Sequence, residues 1–403
     1  MNSSSANKAL RILAIVNLPW DPRLGAARVW MDLTEEWTKA GHTVEKFCLT
    51  DAFPVPTSSR GLSALRQVFF TRRAARYVKL HAHRFDVIDA LIGTLPFSKS
   101  SLGFHGLLVA RSVGLPRLYE QFEKLTRRRW PDQPKGKFLG KFFYRFILRR
   151  LQRNTEEAIR SCDLLNVPNE DEVRALEAAP RSNKPAIVQP YGLNDRQRDV
   201  FARVAPPPEL RLLHKKISFI GMWGLRKGSR DWSGIIRAIS AEIPDAQFLF
   251  LGTMFDEQTV IKELGTAHSE RVHCVQTYEP KELPQLLAGC TVGLFPSYIE
   301  GFGLAVLEQL ACGIPTVAYD VSGPRHILGG HSDLLLTPAG DVAAIAARVV
   351  TILRMPLAEY AVLSNQSRAL AARFRWEEIA AETIQQYCTA LENLPRPRSD
   401  GFE

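Results

Sequence analysis

No stretch of the 403-residue chain stays apolar for the roughly 20 residues that a helix needs to cross a bilayer. Leu10–Leu18 is apolar but short, runs into Pro19-Trp20-Asp21-Pro22, and is followed by no small-residue cleavage site. It reads as a first β-strand rather than a signal peptide. None of the six cysteines forms a C-x-x-C pair, and no histidine cluster accompanies them, so neither a redox motif nor a zinc site is expected. Most lie in apolar runs, where a free thiol behaves as a small hydrophobe, and a reducing cytoplasm is the expected setting. Acidic residues are scarce in one place: residues 124–153 hold eleven Lys and Arg against one acid, Asp132. That local excess equals the whole formal charge of +10, so the basicity is a patch on an otherwise near-neutral chain.

What is present is an α/β pattern repeated across two units. Arg11–Asn17 reads as a buried strand, Pro19–Gly25 as a loop, Val29–Ala40 as a helix closed by Gly41, and Thr43–Leu49 as the next strand. Phe85–Leu91 continues as a strand, Leu102–Val113 as a helix and Pro116–Tyr119 as a strand, with Asp163–Val167 and Ala186–Val188 as further strands. Ala205-Pro206-Pro207-Pro208 is the strongest linker signal. After it, strands are expected at Lys216–Ile220, Gln247–Leu251, Val272–Gln276, Val292–Phe295 and Thr316–Tyr319. Helices are expected at Trp232–Ala241, Leu283–Ala288, Leu304–Ala311, Val342–Leu353 and Trp376–Leu391. The expected architecture is two doubly wound, Rossmann-like domains, residues 1–205 and 206–373, facing a cleft, with a C-terminal segment 374–403. Ligands of such sheets bind at the carboxyl ends of the strands, which places the site in the cleft.

The most informative stretch is Pro296-Ser297-Tyr298-Ile299-Glu300-Gly301-Phe302-Gly303-Leu304-Ala305-Val306-Leu307-Glu308. It follows a buried strand and opens a helix. Gly301 and Gly303 let backbone approach a ligand, and the free N–H groups near Leu304 can hold an anion or sugar oxygens. Glu308 lies among Leu304, Ala305, Leu307, Ala311 and Cys312, where a carboxylate is costly unless paired. Its two oxygens match a vicinal diol such as that of a ribose. The second piece is Phe219-Ile220-Gly221-Met222-Trp223-Gly224-Leu225-Arg226-Lys227-Gly228, a strand running into a glycine loop with paired cations.

These segments closely resemble glycosyltransferase family 4, retaining enzymes of GT-B fold, through Ser-x-x-Glu-Gly-Phe-Gly-Leu with a second Glu eight residues after the first. Ala311-Cys312-Gly313-Ile314-Pro315, Gly323-Pro324-Arg325-His326 and Phe374-Arg375-Trp376-Glu377-Glu378 extend the likeness; the last resembles the start of a helix that crosses back to the N-terminal domain. The resemblance is good over residues 216–392, moderate over 10–50 and weak over 55–185. It implies that Glu308 binds the donor ribose, Glu300 contacts the transferred sugar, and Gly301, Phe302 and Gly303 hold sugar and phosphate. It also implies that Lys227 meets the diphosphate. Met222 stands where the family has an arginine, and Arg226 is the candidate to replace it. Gly25, Gly221 and Tyr278 are further donor-side candidates, with Tyr278 placed for the nucleobase. The family often has a histidine after a Gly-x-Pro turn; Gly114-Leu115-Pro116 is followed by none, leaving Glu120 and Glu123 as candidates to contact acceptor or donor, and His105, in the preceding predicted helix, as a further candidate of open role.

The implied function is retaining, metal-independent hexosyl transfer from a UDP- or GDP-sugar. No cofactor is expected. The implied acceptor is a saccharide or lipid-linked molecule, in cell-surface polysaccharide or glycolipid synthesis. The alternatives are a sugar-nucleotide-binding scaffold without turnover and a GT-B nucleotide-sugar epimerase. The basic segment contains Phe138–Leu151, in which Leu139, Phe142, Phe143, Phe146, Ile147 and Leu151 share one helical face. It reads either as an element for an anionic membrane surface or as an ordinary helix packed on the sheet. Thr126–Lys137 would be its lipid-facing loop, and no motif supports nucleic acid. The expected location is the cytoplasm or the inner face of its membrane.

Overall fold

The computed structural model describes residues 9–57, 59–131, 138–178, 184–204, 206–265 and 270–395. Two six-stranded sheets, all of whose pairings are parallel, form two domains of GT-B architecture. The first sheet has the order β2-β1-β3-β4-β5-β6, with β1 Arg11–Val16, β2 Thr43–Cys48, β3 Val87–Leu91, β4 Leu107–Arg111, β5 Leu164–Val167 and β6 Ala186–Val188. The second has the order β12-β11-β10-β7-β8-β9, with β7 Lys216–Ile220, β8 Gln247–Leu251, β9 Val272–Val275, β10 Val292–Phe295, β11 Thr316–Tyr319 and β12 Leu336–Thr337. The central strands β3, β4 and β10 are buried at every residue. This follows from helices covering both faces, and explains why their sequences read as continuous apolar runs without alternation.

Two sequence expectations fail around β4. The helix expected over Leu102–Val113 is only the end of a short one, Lys99–Leu102, and Leu107–Arg111 is a strand. Gly103 turns into the left-handed region at φ 63°, and a side chain at Gly106 would collide with the Asp86 backbone, so the chain breaks there. The strand expected at Pro116–Tyr119 is instead the first turn of a helix, Pro116–Arg129. Proline at its first position brings a preset φ and lacks an N–H that would have had no partner. A 22-residue helix at Arg60–His81 was not anticipated.

The linker is shorter than its prolines suggest. Ala205 lies outside the described residues, and Pro208 opens the helix Pro208–His214. The Asp195–Val204 helix packs on Leu283–Leu287 and Leu304–Ala311 of the second domain, and Phe201 joins that core. The Trp376–Glu392 helix runs back to the first domain and packs against the Gly25–Lys39 helix. A buried polar knot holds it there. Arg111 Nη2 donates to Asp89 Oδ2 at 2.8 Å, and Tyr387 Oη donates to the same oxygen at 2.7 Å. Trp30 Nε1 donates to Asp89 Oδ1 at 3.2 Å, and Trp37 Nε1 donates to the Ala380 carbonyl at 3.2 Å. Such a pair holds only while each charge keeps its partners.

Among the described residues no helix is long and apolar enough to cross a membrane. In the basic segment, residues 132–137 and the side chains of 138–145, including Leu139, Phe142 and Phe143, lie outside the described set. Thr126–Arg129 belongs to the end of a helix rather than to a loop. Of the rest of the proposed apolar face, Ile147 is buried while Phe146 is 60% exposed.

Candidate active site

The cleft is lined at the carboxyl ends of β7, β8 and β10, where three segments distant in sequence meet. The loop after β10 leads through Glu300 and Gly303 into the Leu304–Ala311 helix. Gly303 takes φ 97°, a conformation open to glycine at little cost, and this lets the chain turn straight into the helix. Gly301 is needed for a different reason. A side chain there would strike the Val113 carbonyl of the first domain, and the Asn169 side chain donates to the Gly301 carbonyl at 2.5 Å. The first domain thus holds the glycine loop from outside. Phe302 is buried against Tyr191 and Phe374, with ring centroids 5.2 and 5.5 Å away.

The loop after β7 supplies the cations. Lys227 Nζ lies 2.5 Å from Glu300 Oε2, and Arg226 Nη1 lies 3.3 Å from the same oxygen. Arg226 therefore reaches the place where Lys227 sits, whereas Met222 is 54% exposed. Lys227 is buried with its stem under Gly221 and its ammonium 4.3 Å from the Phe295 ring centroid. Burial pulls its pKa down, and Glu300 only partly restores it. For Glu300, burial favours the neutral acid, but Lys227 and Arg226 outweigh it and hold the pKa below the ordinary glutamate value. The result is an ionised Glu–Lys–Arg group partly screened from water, with Lys227 buried and the Arg226 side chain 30% exposed, where charge interactions are stronger than in bulk water.

Glu308 lies one side of the helix further in and is 5% exposed. Its Oε1 accepts from Arg28 Nη1 at 2.6 Å, and Arg28 also lies 3.6 Å from Asp32 Oδ2. Arg28 and Asp32 belong to the Gly25–Lys39 helix of the first domain. Tyr278 stands nearby with its ring against Gly252, and the charges of Glu308 and Arg28 both act on its phenol. Gly25 is the first residue of its helix and has open space where a side chain would be. The structure therefore brings together Glu300, Lys227, Arg226, Gly221, Gly301, Phe302, Gly303 and Leu304, with Glu308 and Tyr278 beside them.

The three remaining candidates are not part of this group. His105 lies in the turn before β4, at the opposite end of the strand from the cleft, beside His83 and Glu392, and not in a helix. Glu120 accepts from Gln152 of the Phe138–Ser161 helix, and Glu123 lies 3.5 Å from Arg127 and is exposed. The neighbour that does face the cations from this helix is Tyr119, whose phenol feels the charges of Arg226 and Glu300 while burial raises its pKa. Sequence reasoning also missed Arg28, Asn169 and Glu172. Arg28 and Asp32 have the i,i+4 spacing of a helical ion pair, and Asn169 with Glu172 three residues on has the form of a helix N-terminus. Those local signals were legible; their reach into the other domain was not. Glu172 is fully buried, and burial pushes its pKa to about 7, against the opposing effect of Ser112 and the Leu115 N–H.

Comparison with known proteins agrees with this fold. Residues 214–355 match the family model described as glycosyl transferases group 1. The MMP alpha-(1->4)-mannosyltransferase of Mycolicibacterium hassiacum is 26% identical over 81% of this chain and 75% of its own length. Glycogen synthase of Mycobacterium tuberculosis is 33% identical, over 45% of each chain. Among solved structures, sucrose-phosphate synthase from Thermosynechococcus elongatus superposes with a TM-score of 0.70 at 19% identity, over 95% of this chain and 100% of its own. HepE of Anabaena, solved in complex with UDP-glucose, gives 0.64 at 18% identity, over 96% and 100%. The chain thus has the GT-B fold, and its residues 214–355 are similar to the group 1 glycosyl transferases.

Proposed function

We propose that this protein is a retaining, metal-independent glycosyltransferase of family 4 that moves a hexose from a UDP- or GDP-sugar to a saccharide or lipid-linked acceptor. The observation that supports it best is the Glu300–Lys227–Arg226 group, in which Lys227 is buried, with a buried second glutamate, Glu308, eight residues after Glu300. The ribose diol meets Glu308, and the base lies toward Tyr278. The diphosphate lies against Lys227, Arg226 and the N–H groups at the start of the Leu304 helix. The hexose hydroxyls meet Glu300 and the Gly301–Gly303 backbone.

The chemistry follows from where charge must go. When the anomeric C–O bond breaks, its electron pair stays on the diphosphate, and the two cations stabilise the added charge. Their field is already in place, so little reorganisation is needed. The acceptor oxygen attacks the anomeric carbon from the face the diphosphate leaves, and the departing oxygen takes the acceptor proton. The new bond then has the configuration of the old one, and no histidine is required as base. Closure of the two domains excludes water, which would otherwise hydrolyse the donor.

The basic segment 124–153 supports a place for the acceptor at an anionic membrane surface, with the protein in the cytoplasm or at the inner face of that membrane. The test is a thermal-shift panel of UDP, GDP, ADP and their sugars in EDTA, followed by NMR of the product. Stabilisation by one nucleotide family and an unchanged anomeric configuration are expected. An inverted product, or binding that requires Mg²⁺, overturns the proposal.

A further inference from the structure

The ion pair between Arg28 and Glu308 crosses from one domain to the other and is almost shut off from water, with the two side chains 12% and 6% exposed. It sits where the proposed function puts the nucleoside, and its role rests on that assignment of Glu308. A ribose diol is uncharged. It can donate hydrogen bonds to a carboxylate but cannot neutralise it, so a buried glutamate that grips a diol needs a counter-charge from elsewhere. The described cations nearest in role, Lys227 and Arg226, are engaged with Glu300. Arg28 supplies the missing charge. It binds one oxygen, Oε1, at 2.6 Å and leaves Oε2 available.

Arg28 is itself held in place. It projects from the first turn of the Gly25–Lys39 helix, and Asp32, one turn on, lies 3.6 Å from its Nε. Burial opposes its charge, but Glu308 and then Asp32 outweigh that cost. A planar guanidinium bound on two sides fixes the direction of the carboxylate more firmly than an ammonium would.

We propose that Arg28 is a positioning residue of the nucleoside pocket, holding Glu308 by one oxygen so that the other meets the ribose hydroxyls. The pocket is then built by both domains. Discrimination between ribose and 2′-deoxyribose depends on a residue of the domain that carries no other part of the nucleoside site.

The test measures binding of UDP and GDP against 2′-deoxy-UDP and 2′-deoxy-GDP by calorimetry, using the full chain. A hydrogen bond to a charged group contributes about 1.5–3 kcal/mol, so the wild type should prefer the ribonucleotide at least tenfold. Arg28→Met should reduce that preference to within about twofold, and Arg28→Lys should retain an intermediate preference. Urea unfolding reports separately whether the fold survives, and the double variant Arg28→Met/Asp32→Asn removes the unpaired acid should the single one misfold. If Arg28→Met weakens both nucleotides equally, or neither, the residue acts on phosphate or on packing and the proposal fails. Glu308→Ala separates the two claims: if it leaves the ribose preference intact, the reading of Glu308 itself is wrong.

Discussion

The two domains share a sheet architecture but contribute to the cleft in opposite ways. The second domain supplies its groups in two short runs, Gly221–Lys227 and Glu300–Glu308, each bound to the end of a strand. The first supplies single groups from separate elements: the Arg28 side chain from one helix, Asn169 from the start of another, the Val113 backbone carbonyl from a loop, and Tyr119 from a third helix. A diphosphate and a ribose need several groups at fixed spacing, and one strand–loop–helix unit provides that spacing within the chain. Holding that unit in place needs isolated contacts, which leave little pattern in sequence.

If this division is right, damage to the buried contacts that hold the first domain together should appear as lost stability, and damage to the two runs of the second domain as lost rate. The largest effect is expected from Asp89→Asn. It leaves Arg111 charged and unpaired where both side chains are at most 1% exposed, a loss of about 3–5 kcal/mol. Urea unfolding would measure it, and the apolar double replacement Arg111→Met/Asp89→Leu should recover much of the loss. In the second domain, Lys227→Met should lower kcat by about 10²–10³ with a smaller loss of stability than Asp89→Asn, because Arg226 still pairs with Glu300. A large loss of stability from Lys227→Met, or a selective loss of kcat from Asp89→Asn, would break the comparison.

The smallest effect sharpens it. Burial raises the Asp32 carboxyl to about 6 from its ordinary 3.8, in spite of Arg28. A folded-state value above the unfolded one means that Asp32 contributes stability below about pH 4. That contribution is lost as the pH rises through 6. Asp32→Asn should therefore match the wild type near pH 4 and exceed it by about 1–3 kcal/mol above pH 7. Denaturant titrations at pH 4 and pH 8 would show it. Equal stability of the two proteins at pH 8 would mean that Arg28 already compensates Asp32 in full.

Much of the second domain was legible because its strands end at glycine loops and its helices keep their apolar spacing. The first domain was less so. Leu107–Arg111 is apolar at nearly every position because it is buried on both faces, and such a run does not by itself distinguish strand from helix. Pro116 is as good a start for a helix as for an extended turn. In the site, Glu308 stands out as a carboxylate on an apolar helix, while Glu300, Lys227 and Arg226 are singled out through the family resemblance of their motifs. Arg28 is reached by neither route, because its partner is 280 residues away. His105 was misplaced for the same reason as β4: the elements around it were read in the wrong order.

The Trp376–Glu392 helix has a consequence for how the protein is made. Its Tyr387 hydroxyl completes the Asp89–Arg111 knot, and it covers the Gly25–Lys39 helix, yet it is synthesised long after β6, the last strand of that domain. Domains emerging from a ribosome generally fold in order from the first. Here the first is left with an open flank and an incompletely satisfied ion pair until the second has been translated. Its final closure is thus a late event, and the nascent chain carries an unfinished N-terminal domain for as long as the second domain takes to be made.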